Sequence, residues 1–390
     1  MHEIYAFLMA IAVILIAAKL FGEIAVRFGQ SAIVGELLAG VIIGPSVFGF
    51  VSETHVLSSI AELGAIILLF EVGLSSDIKE FAKAGGWAAA VAFVGVFLPY
   101  ISGYYVFLYF GFSTTQAIFA GAVLTATSVG ITARVFMDLK RIETQEAKIV
   151  LGAAVIDDVI GLVILAVVLK LVSGGTVTAG TIAHVSGMAV LFLILSVGAG
   201  LLIAPTLFRF ISKMKQEQVI FVMAVAFCLI ISALASKVGL APIVGAFAAG
   251  LVLSSTNYKA EIRNGVKPLY VFFVPVFFVL MGTQVDLSVF NPFIESNRMI
   301  LLLTAILFIV AFIGKAVAGF VVLKKGINKL LVGVSMVPRG EVGLIFAGIG
   351  LKNGVFGSDD YSALVAVIML TTFVTPFILK YLISKDMEKN

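Results

Sequence analysis

Apolar runs of about 20 residues recur from one end of the chain to the other, and they leave few folds open. A helix of that length crosses roughly 30 Å of hydrocarbon. Inside a bilayer every backbone N–H and C=O must be satisfied by the protein itself, so only helices and closed barrels can span it. The runs are continuous rather than alternating, which excludes a barrel. With 61% hydrophobic and 12% charged residues, the chain lies outside the range of soluble domains. The expected fold is an all-α polytopic membrane protein.

Hydropathy places thirteen spans at roughly 4–22, 31–50, 58–75, 86–110, 114–137, 148–171, 181–210, 217–236, 240–256, 265–285, 298–323, 330–351 and 361–384. Loops are short. The distribution of basic residues tests this count, because lysines and arginines concentrate on the cytoplasmic side. With sides numbered alternately, 19 of the 26 fall on the side of the C-terminus, 4 on the other, and Arg134, Lys315 and Arg339 inside spans. A missed span would have mixed the two sides. The expected arrangement is therefore a multi-pass cell (inner) membrane protein, with its N-terminus outside and its C-terminus cytoplasmic. Met1-His2-Glu3-Ile4-Tyr5 carries no basic residue before the first run, which argues for a retained span rather than a cleaved signal peptide. The net charge of +4 comes from scattered residues, and nucleic acid is not an expected partner. Cys228 is the single cysteine, so no intrachain disulfide can form.

A repeat is visible at an offset near 210. Ile33-Val34-Gly35 with Ala39-Gly40 matches Ile243-Val244-Gly245 with Ala249-Gly250. Gly73 and Asp77 match Gly282 and Asp286, and Val129-Gly130 matches Val342-Gly343. Seven spans separate the copies, an odd number, so they should lie upside down relative to each other. Inverted repeats characterise many secondary transporters, whose sites lie near the midplane between the halves.

The charges inside the spans are the chemistry to explain. An acid at the centre of a membrane helix costs about 2.5–3.5 kcal/mol on insertion scales. Span six carries two together, Asp157 and Asp158. Adjacent helical residues point about 100° apart, so one can face a cavity while the other meets a neighbouring helix. Lys315, in span eleven, is the natural partner for one of them. Arg134 and Glu71 lie near the cytoplasmic side, where Arg134 is expected to snorkel outward. Spans five and twelve should both be broken at mid-depth. Span five has Thr125, Thr127, Ser128 and Thr132 around Gly130; span twelve has Pro338-Arg339-Gly340-Glu341. Proline removes a donor and disrupts the preceding turn, and broken helices expose dipole ends. Arg339 and Glu341 are placed to neutralise those ends.

These residues resemble the second monovalent-cation:proton antiporter family, the group of NapA-type sodium/proton antiporters and glutathione-gated potassium efflux systems. The resemblance rests on Gly35-Glu36-Leu37-Leu38-Ala39-Gly40 with Gly44-Pro45, Leu69-Phe70 with Gly73-Leu74, Thr125 to Thr132, Asp157-Asp158, Lys315, and Pro338 to Gly343. It covers essentially the whole membrane core. No nucleotide-binding domain follows span thirteen, which points to a stand-alone exchanger. The family implies a homodimer with scaffold helices in 1–82 and 214–290, core helices in 83–173 and 296–386, and a linking helix in 178–213. A double Asp with a lysine looks like the electrogenic type.

The expected activity is secondary Na+/H+ (or Li+/H+) antiport by alternating access. On this reading Asp158 is the principal cation ligand and Asp157 its helper. Thr127, Ser128 and Thr132 line the site. Lys315 pairs with Asp157 when sodium is absent. Burial and like charge favour protonating one of two adjacent acids, so sodium and protons compete for the same oxygens. No cofactor and no covalent chemistry are expected. A K+/H+ antiporter on the same scaffold is the alternative, and a gated cation channel a more distant one. A membrane-embedded enzyme is disfavoured, since no nucleophile turn or zinc-ligand spacing is present.

Overall fold

A computed structural model describes residues 2–172, 179–291, 293 and 297–387. Among these, the ordered elements are helices. They are α1 (His2–Arg27), α2 (Ala32–Ile43), α3 (His55–Ser75), α4 (Ile78–Tyr109), α5 (Thr114–Thr125), α6 (Val129–Asp138), α7 (Gln145–Val172), α8 (Ala179–Ile211), α9 (Val219–Lys237), α10 (Pro242–Leu253), α11 (Lys259–Thr283), α12 (Asn297–Ala318), α13 (Lys329–Ser335), α14 (Glu341–Lys352) and α15 (Ser358–Met387). Ten segments among the described residues are long and apolar enough to cross a membrane. With the shorter α2 and α10 and the broken α13–α14 pair, they account for the thirteen expected spans. Caps mark several starts. Ser113 and Gln116 form a capping box on α5, Thr54 caps α3, and Asn328 caps α13.

The chain divides into two compact units. The first comprises residues 1–83, 136–144 and 186–284. In it α3 packs on α10 and α11, α2 on α1 and α11, and α9 on α10. Four glycines set these contacts. A Cβ on Gly40 would lie 2.0 Å from the Val279 carbonyl oxygen, and one on Gly282 would lie 2.1 Å from that of Leu37. A Cβ on Gly73 would lie 2.4 Å from the Phe247 oxygen, and one on Gly250 would lie 2.3 Å from that of Phe70. The pairs exchange under the repeat: Gly40 with Gly282 becomes Gly250 with Gly73. The outer contacts repeat too, since Gly35 abuts Phe21 and Gly22 while Gly245 abuts Ile231 and Ser232. Lipid tails are as apolar as leucine, so close backbone packing must supply the attraction between helices. A glycine at each crossing allows it.

The second unit comprises residues 84–135, 145–185 and 285–390. One apolar cluster joins Ala88, Val91 and Ala92 of α4 to Ile149 and Ala153 of α7 and to Val332 of α13. Elsewhere α12 packs on α15, and α5 on α14. Both expected breaks are present. Residues 126–128 interrupt α5 and α6, and 336–340 interrupt α13 and α14. The broken ends would leave unsatisfied carbonyls and amides in an apolar interior, so the two breaks bond to each other. The Ser128 amide donates to the Pro338 oxygen at 2.7 Å. The Thr132 hydroxyl donates to the Ser335 oxygen at 2.6 Å, and the Thr127 hydroxyl to the Met336 oxygen at 3.3 Å.

Candidate functional site

Asp157 projects from the middle of the unbroken α7 and is 3% exposed. Its Oδ2 lies 3.2 Å from Nζ of Lys315 on α12. Lys315 is fully buried and also donates to the Thr127 hydroxyl at 2.7 Å. One ammonium thus joins α7, α12 and the first break. Gly95 of α4 lies beside it, where a Cβ would meet the lysine side chain at an ordinary contact distance of 3.6 Å. The other carboxylate oxygen, Asp157 Oδ1, is buried and accepts no hydrogen bond among the described residues. A buried acceptor in that condition costs about 1–3 kcal/mol, which a proton or a cation would relieve. Asp158 lies one residue on and is half-buried. The two acids are therefore in different surroundings, as their angular separation requires.

Arg339 is fully buried and spends its guanidinium on carbonyls. Nε and Nη2 donate to the Leu124 oxygen at 3.2 and 2.8 Å, Nη1 to Val337 at 3.0 Å, and Nη2 to Ala311 at 3.3 Å. Leu124 is in the last turn of α5, whose carbonyls carry the negative end of the dipole. Arg339 of one break therefore neutralises the other. Glu341 opens α14; its side chain lies outside the described residues. Ser128 is buried at the first break, and Thr132 is fully enclosed. Arg134 departs from expectation. It is 7% exposed, on a helix pair whose central residues are almost all buried within the protein.

Thr372 of α15 is a residue that hydropathy and motifs do not single out. Its buried hydroxyl donates to the Arg339 carbonyl oxygen. Thr371 and Thr375 are buried beside it but bond within their own helix, to Ile368 and Thr371. Only the hydroxyl spacing on α15 hinted at a polar face.

Crossed helix breaks sealed by an arginine, with an adjacent carboxylate–lysine pair, define a membrane carrier for small cations. The sodium/hydrogen exchanger transmembrane family matches residues 9–385, and the chain belongs to it. The high-affinity Na+/H+ antiporter NhaS3 of Synechocystis is 38% identical, over 95% of this chain and 88% of its own length. The Na+/H+-K+ antiporter GerN of Bacillus cereus is 35% identical, over 97% and 96%. The solved sodium proton antiporter MjNhaP1 of Methanocaldococcus jannaschii shares the fold, with a TM-score of 0.66 at 18% identity over 97% of this chain and 96% of that one.

Proposed function

We propose that the chain exchanges Na+ or Li+ for H+ in a cell membrane, with Asp157 and Asp158 as the competing site. The observation that carries this reading is the buried Asp157–Lys315 pair, with one carboxylate oxygen held by the lysine and the other accepting no hydrogen bond among the described residues. Asp158 is the principal sodium ligand. Thr127 and Ser128 of the first break add further oxygen ligands. When sodium arrives, Asp157 turns from the lysine toward the cation, and Lys315 falls back on Thr127. The proton and the cation are alternatives at one site, so their transport is coupled. Carrying a net charge per cycle makes the exchange electrogenic.

On this reading residues 1–82 and 214–290 form the scaffold, 83–173 and 296–386 form the core, and 178–213 link them. The scaffold makes a homodimer. The repeats are inverted, the C-terminus is cytoplasmic, and the N-terminus is outside. Potassium is the second reading, favoured by the similarity to GerN, whose name includes K+. Proteoliposomes holding a pH-sensitive dye separate the two. Sodium and lithium pulses should move protons, and potassium should move few. Equal responses to potassium would assign the broader exchange.

A further inference from the structure

A cavity of about 480 Å³ lies within the first unit. It is lined by Arg263, Asn264, Lys267 and Tyr270 of α11, by Glu71 of α3 and by Met137 at the end of α6. Lys259, Arg263 and Lys267 recur every four residues, so they form one basic stripe over the first two turns of α11. Among the described lining residues Glu71 is the one acid, and it is already engaged, its Oε1 2.9 Å from Nε of Arg263. The lining therefore carries more positive than negative charge. That is the wrong sign for a cation vestibule and the right sign for an anion. The lining also includes the apolar Met137 and Val271, the latter one turn beyond Lys267 on α11. Arg263, Asn264 and Lys267 are exposed at the rim. Guanidinium, ammonium and carboxamide donors together suit the oxygens of a phosphate. An apolar wall beside them, on a helix long enough to cross a bilayer, suits the glycerol and upper acyl carbons of a lipid.

We propose that this cavity binds a phosphate-bearing anion, which in the membrane is the headgroup of an anionic phospholipid. The end of α6 that borders the cavity is held in the same unit by Asp138, whose carboxylate accepts the Ser31 hydroxyl at 2.5 Å. The ligand therefore rests on a fixed wall.

The test uses the full chain in detergent with three probes: phosphatidylglycerol, zwitterionic phosphatidylcholine and inorganic phosphate. Native mass spectrometry reads lipid retention, and thermal shift reads phosphate. Lys267→Glu reverses an exposed charge one turn from Arg263 and keeps both members of the Glu71 pair. The double variant Glu71→Gln with Arg263→Gln removes that pair at constant net charge. Phosphatidylglycerol should be retained over phosphatidylcholine by the native chain and lost about tenfold in Lys267→Glu, the scale of one charge-assisted bond. Stabilisation by inorganic phosphate that Lys267→Glu abolishes, without lipid selectivity, keeps the site and assigns it a soluble anion. Equal retention of both lipids, with no phosphate effect that separates the native chain from the two variants, overturns the proposal.

Discussion

Lys315 is the residue on which most of the site's chemistry converges, because it is the cation that Asp157 and Thr127 share. Removing one partner of a buried pair strands the other charge, at about 3–5 kcal/mol, whereas replacing both by apolar groups is often neutral. Lys315→Ala alone should therefore lower Tm sharply. Lys315→Met combined with Asp157→Leu should recover much of it while abolishing transport. Thermal unfolding of the single and double variants checks both statements; additive losses would mean that the pair is not coupled.

Thr372 is a subtler case. Its hydroxyl holds the carbonyl of Arg339, and Arg339 in turn seals α5. Thr372→Val keeps the shape and removes the bond, at about 0.5–1.5 kcal/mol net, with more if the carbonyl is left unsatisfied. Loosening the second break should raise the apparent KM for sodium more than it lowers expression, and Thr372→Ser should restore it. Uptake at graded sodium concentrations reads the difference. Unchanged KM in the valine variant would confine Thr372 to a packing role.

At the scale of elements, the helices and their breaks were readable from residue chemistry, and the contacts were not. Apolar run length located the spans because the bilayer imposes it. Pro338 with its flanking glycine, and the cluster of hydroxyls in span five, located the breaks because a helix tolerates neither arrangement cheaply at that depth. The repeat in Gly35, Gly40, Gly73, Gly245, Gly250 and Gly282 was visible as spacing. Which glycine would meet which depends on the three-dimensional crossing, and no local signal carries it. The main acceptor of Arg339 is equally nonlocal, since Leu124 is 215 residues away. Arg134 shows the limit of position along a span as a guide: depth suggested snorkelling, but the side chain is buried within the protein.

The crossings predict a contrast. Gly40→Ala would drive a Cβ into the backbone of α11 and should cost several kcal/mol, as overpacking does. Gly86, within α4, has nothing within 4 Å of a Cβ. Gly86→Ala should therefore stabilise by about 0.5–1 kcal/mol, since alanine is the better helix former. Unfolding in mixed micelles would rank the two; equal effects would refute the close approach at Gly40.

For the whole molecule, the two units hold different kinds of chemistry. The first is built on close glycine crossings between apolar helices, as the second is at Gly319 and Gly333, and it carries the Glu71–Arg263 ion pair. The second holds Asp157, Lys315, Arg339 and both breaks. Such a division suits a carrier in which one part stays anchored while the other presents the site to either side. The account stands on proton–cation competition at the aspartates, and sodium-driven proton movement in proteoliposomes across a range of pH measures it. Native protein should move protons when sodium is added. Its apparent KM for sodium should rise as pH falls, approaching about tenfold per unit if one proton competes for one site. Asp158→Asn should silence the response. Proton movement of normal size in Asp158→Asn, or a sodium KM indifferent to pH, would contradict the account.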